Sequence, residues 1–155
     1  MLSIVKSMSL AGIDGYLIYV QVDVSSGMPG WDIVGLPDVS VKESKERVRT
    51  AIKNSGYELN SRKITVNLAP ANTKKEGSFF DLPIAIGILV CTEVILENIP
   101  ENIAFVGELS LDGKLNKING ILPMCIEAKK LGISKIIVPL ENAKEASVVS
   151  GIEIY

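Results

Sequence analysis

Nine of the sixteen lysines and arginines fall between Lys42 and Lys75: Lys42, Lys45, Arg47, Arg49, Lys53, Arg62, Lys63, Lys74 and Lys75. Against Glu43, Glu46 and Glu58 they give this stretch a net charge of +6, inside a chain whose total is −2. Cations gathered in this way can neutralise phosphates or meet an acidic partner. They are equally compatible with a solvated helix face and ordinary loop lysines. No aromatic residue stands next to any of them in sequence to stack a base. The candidates for a nucleic-acid-facing surface are Lys42, Lys45, Arg47, Arg49, Lys53, Lys74 and Lys75, and spacing alone does not decide between the two readings.

Other reactive types are sparse. The chain has no histidine, which removes Ser-His-Asp and Cys-His catalysis, the HExxH zinc site and any histidine pH switch. A serine nucleophile would have to rely on a lysine of depressed pKa. There is no G-x-x-x-x-G-K-[ST] loop and no G-x-G-x-x-G, so neither ATP nor a dinucleotide is held by those devices. Asp81 is placed to cap a helix rather than to move protons. Cys91 and Cys125 lie in apolar surroundings and are expected as buried, inert thiols. No catalytic, metal-binding or cofactor-binding residue is assigned to this chain.

These residues need a scaffold, and the composition supplies one. With 47% hydrophobic and 22% charged residues over 155 positions, the chain is expected to form one compact domain spanning 1–155. Residues 1–9 and 16–24 read as strands around an Asp14-Gly15 turn signal, and Trp31 to Gly35 as a short third strand. A helix capped by Asp38 or Ser40 runs to Gly56, with Val41, Val48, Ala51 and Ile52 near one face. Arg62 to Leu68 alternates as a strand, and Leu82 to about Leu96 is a helix apolar on nearly every side. Strands at Ile103–Ser110 and Lys114–Ile118 follow, then a helix from Ile121 to Leu131. A strand at Lys135–Pro139, a short helix at Glu141–Val149 and a last strand at Ile152–Tyr155 complete an α/β domain. The longest apolar run, Pro83 to Cys91, is too short to cross a bilayer, and MLSIVKSMSL lacks the apolar centre of a signal peptide. A cytoplasmic protein without membrane contact is expected.

Four stretches in order resemble a known family. They are Asp32-Ile33-Val34-Gly35-Leu36-Pro37 followed by Val41-Lys42-Glu43-Ser44-Lys45-Glu46-Arg47-Val48-Arg49, then Ile64-Thr65-Val66-Asn67-Leu68-Ala69-Pro70-Ala71. After these come Lys75-Glu76-Gly77 with Phe80-Asp81-Leu82-Pro83-Ile84-Ala85, and Phe105-Val106-Gly107-Glu108-Leu109. Together they are similar to the N-terminal domain of the magnesium-chelatase-like AAA+ ATPases, the YifB/ComM family, across essentially the whole chain. The resemblance implies a two-layer α/β fold, a mixed sheet with packed helices like the Lon proteolytic domain and the RadA C-terminal domain. It also implies a parent protein carrying an AAA+ module that uses ATP and magnesium, assembles as a hexameric ring and acts on DNA as a branch-migration helicase.

The Lon likeness can be carried over residue by residue. An ungapped alignment of Lys75-Glu76-Gly77-Ser78-Phe79 puts Phe79 where the Lon nucleophile stands, and Asn119-Gly120-Ile121 puts Leu122 where the dyad lysine stands. Both are apolar, and Ser78 and Lys117, the pair from which a dyad would have to be rebuilt, stand one and five positions before them, so the resemblance implies a scaffold kept without its peptidase chemistry. A non-catalytic domain supporting ring assembly or guiding DNA is the leading expectation. A Ser-Lys peptidase and a protein-interaction module of a chelatase-type ATPase are the alternatives.

Overall fold

The computed structural model describes residues 1–60 and 62–155. Its order is β1 (Leu2–Ala11), β2 (Asp14–Ser25), β3 (Gly30–Val34), α1 (Val39–Lys42), α2 (Ser44–Asn54), β4 (Lys63–Ala69), α3 (Asp81–Cys91) and β5 (Ile103–Phe105). It continues through β6 (Glu108–Leu109), β7 (Leu115–Asn116), α4 (Ile121–Lys130), β8 (Lys135–Ile137), α5 (Ala143–Ala146) and β9 (Glu153–Ile154). A single 3-10 turn, Leu140–Asn142, leads into α5. The main sheet has the order β3-β4-β2-β1-β5-β8-β9, and β6 and β7 form a separate ribbon. Pairing is antiparallel for β1/β2 and β2/β4, and parallel for β3/β4, β1/β5, β5/β8 and β8/β9. The fold class is the mixed α/β one expected. Among the described residues, no helix is long and apolar enough to cross a membrane.

Alternation along the strands sends side chains to two faces. Ile18, Val20 and Val22 of β2 and Ile64, Val66 and Leu68 of β4 pack with Val48, Ile52, Ile84 and Ile88 from α2 and α3. Met8 of β1, Ala104 of β5 and Ile136 of β8 belong to a second cluster with Ile121, Met124, Cys125 and Ala128 of α4. The sheet is thus covered by α2 and α3 on one face and by α4 at one end of the other. Each fully buried Val, Ile or Leu in these clusters stabilises the fold by about 1.5–3 kcal/mol. Cys91 and Cys125 are buried free thiols, as expected.

Several boundaries differ from the sequence expectations, each for a local reason. The β1–β2 register pairs Ala11 with Asp14, so the turn is Gly12-Ile13, and Asp14-Gly15 opens β2. Gly15 serves packing instead, since a Cβ there would sit 2.7 Å from the Pro123 carbonyl oxygen of α4. The first helix is split at Glu43 into α1 and α2. Helix α3 stops at Cys91, because Glu93 takes φ +60 and the Val94 and Ile95 amides both donate to the Leu89 carbonyl. The strand expected at Ile103–Ser110 ends at Phe105. The Gly107 amide donates to the Phe79 carbonyl and the Leu82 amide donates to the Gly107 carbonyl, which steers the chain past the start of α3.

Candidate nucleic-acid interface

Helices α1 and α2 carry five of the seven residues of the candidate basic set, and their placement begins with a cap. The Asp38 carboxylate accepts from the Val41 amide at 2.8 Å, as expected for a helix start. Asp81, expected as the cap of α3, does something else. It lies in the first turn of α3, with Phe80 in the capping position. Its buried carboxylate accepts from Ser44 Oγ at 2.6 Å, from Arg47 Nε at 2.6 Å and Nη2 at 3.1 Å, and from the Leu109 amide at 3.0 Å. One side chain therefore ties α2, α3 and β6 together. Burial pushes the Asp81 carboxyl above its ordinary range, against the opposing pull of Arg47, Ser44 and the Leu109 amide. The hydrogen bond to Asp81 pushes the Arg47 guanidinium up, so it stays charged.

That network decides which cations face outward. Lys42, Lys45, Arg49 and Lys53 follow one another at helical spacing; Lys42, Arg49 and Lys53 are exposed and Lys45 is half-buried. Lys42 and Lys45 line a notch of about 210 Å³ with Trp31, Asp32 and Ile33 of β3, an outer strand of the sheet. The Arg49 guanidinium lies 5.5 Å from the centre of the Trp31 ring, within cation–π range. Arg49 also stands 3.6 Å from Glu46.

The remaining members of the basic set are elsewhere. Arg47 turns inward to Asp81. Lys75 is fully buried, its Nζ donating to the Pro70 carbonyl, and burial pushes its pKa down. These two side chains are taken up by the interior and do not belong to an outward basic surface. Lys74 is exposed on the loop before α3, where its carbonyl accepts from Tyr16 Oη at 2.9 Å. Trp31 was not legible as a neighbour of these charges, because only the pairing of β3 with β4 carries it to α2.

A second concavity, of about 640 Å³, is lined by Ser78 and Lys117 together with Asp38, Glu76, Phe79 and Glu108. Leu122 lines a separate groove beside α4. The two positions that the Lon alignment equates with a dyad, Phe79 and Leu122, thus open onto different cavities. Lys117 is exposed.

Residues 20–142 match the family described as subunit ChlI of Mg-chelatase. The chain is 45% identical over 150 residues to the uncharacterized protein YifB of Escherichia coli strain K12, covering 97% of this chain and 29% of that protein. It is 42% identical over 154 residues to the competence protein ComM of Haemophilus influenzae, covering 99% of this chain and 30% of that protein. A more distant likeness, 32% over 114 residues, links 73% of the chain to 20% of Lon protease 2 of Bacillus subtilis. The chain therefore spans less than a third of the length of these relatives. The matched span and the near-complete coverage of the chain by YifB and ComM establish that it belongs to the family of Mg-chelatase subunit ChlI.

Proposed function

We propose that this chain is the non-catalytic N-terminal domain of a magnesium-chelatase-like AAA+ ATPase, and that it guides DNA along the outer face of α1 and α2. In this reading ATP and magnesium are used by the AAA+ module of the parent, a hexameric, cytoplasmic, ComM-like branch-migration helicase. Each domain binds DNA weakly, and a ring of six raises the combined affinity through effective concentration. The observation that carries the reading is the convergence of Lys42, Lys45 and Arg49 on Trp31 at the outer strand β3. Cations there can neutralise phosphates while the indole offers an apolar surface to a base.

Fluorescence anisotropy of the isolated domain with a labelled oligonucleotide, repeated across salt concentrations, tests this. Each phosphate contact contributes about −0.9 to the slope of log K against log salt on duplex DNA. Replacing Lys42, Lys45 and Arg49 by Glu is expected to flatten the slope by about 3 and weaken binding for every sequence. Affinity that stays flat from low to moderate salt would reject the reading.

A further inference from the structure

Helix α4 has one apolar face turned to the sheet and a second, mixed face of Leu122, Ile126, Lys129 and Lys130. Ile121, Met124, Cys125 and Ala128 are fully buried against the sheet. Leu122, Ile126, Lys129 and Lys130 follow the i, i+4, i+7, i+8 spacing of a second face, and with Val148, Val149 and Ser150 they line a groove of about 570 Å³. Ile126 is 42% exposed and Val148 75% exposed, so the groove has apolar walls open to water. Among the described residues, its charged lining consists of Lys129 and Lys130 alone, in a chain that is acidic overall. Glu127, the acidic residue beside Ile126, lies on the side of α4 that approaches Gly15 of β2.

We propose that this groove docks a short amphipathic segment of a partner protein, with apolar residues filling the trough between Ile126 and Val148 and flanking carboxylates meeting Lys129 and Lys130. Charge complementarity selects the partner: the walls supply apolar contact, and the charged residues of the lining are Lys129 and Lys130. This surface lies across the sheet from the basic face of α1 and α2, and it stands whether or not that face meets DNA.

The test uses two labelled helical peptides of about 14 residues with leucines along one face, one flanked by Glu and the other by Lys. Saturable binding of the Glu-flanked peptide is expected, with the Lys-flanked one weaker by on the order of tenfold. Ile126→Glu should abolish the preference and most of the binding. The double change Lys129→Glu with Lys130→Glu should reverse the preference between peptides. Circular dichroism of these variants checks that each remains folded, as expected for exposed positions. Equal affinity for both peptides, no saturable binding, or indifference to Ile126→Glu would overturn the proposal. Self-association of the domain in sedimentation that Ile126→Glu removes would also overturn it, by making a second copy the occupant.

Discussion

Arg47 grips the buried carboxylate of Asp81 with two hydrogen bonds, Nε to Oδ2 at 2.6 Å and Nη2 to Oδ1 at 3.1 Å. The same Nη2 also donates to the Ser40 carbonyl at 2.9 Å. Removing Arg47 leaves a carboxylate with no counter-charge in the interior, a change that costs about 3–5 kcal/mol where a buried pair is broken. Arg47→Ala is expected to lower the chemical-denaturation midpoint accordingly. A loss below about 1 kcal/mol would show that Ser44 and the Leu109 amide suffice to hold Asp81.

Gly87 is the reason α3 can lie close to the sheet. A Cβ at this position would fall 2.6 Å from Val22 Cγ2 and 3.0 Å from Ser3 Oγ. Ser3 Oγ also donates to the Gly87 carbonyl at 2.9 Å, so the helix cannot retreat without breaking a buried hydrogen bond. Gly87→Ala is expected to destabilise by about 1–3 kcal/mol through overpacking, in spite of alanine's better helix propensity. A thermal melt unchanged or raised by this substitution would contradict the packing described.

Burial pushes the Cys125 thiol up to about 11, with the Glu145 charge adding to the effect. The folded state thus holds the proton more tightly than the unfolded chain does. The resulting stabilisation is fully present below the unfolded thiol's pKa and is lost as pH rises through about 11. The difference is worth about 3 kcal/mol at most. Stability of the native chain should fall more steeply between about pH 9 and 11 than that of Cys125→Ala, which lacks the titrating group. Parallel pH profiles for the two proteins would contradict it, as would rapid alkylation of Cys125 in the folded protein near neutral pH.

The strand alternation of β2 and β4, the apolar α3 and the cap at Asp38 were legible because each follows from local period or side-chain reach. The role of Asp81 was not, because its partners Ser44, Arg47 and Leu109 are distant in sequence and meet only when α2, α3 and β6 pack. For the same reason a count of charges could not separate Lys75, which goes into the interior, from Lys74 beside it. The notch at Trp31 depends on which strand lies at the sheet edge, a property of topology rather than of pattern.

Trp31 is the only tryptophan in the chain, so its fluorescence reports directly on the surface at issue. Titrating the isolated domain with an unlabelled oligonucleotide at low salt is expected to quench Trp31 saturably. The quenching should diminish as salt rises, and it should be lost in Lys42→Glu combined with Lys45→Glu. Trp31 emission that stays unchanged while anisotropy shows the oligonucleotide bound would place the DNA elsewhere and contradict the assignment of this face.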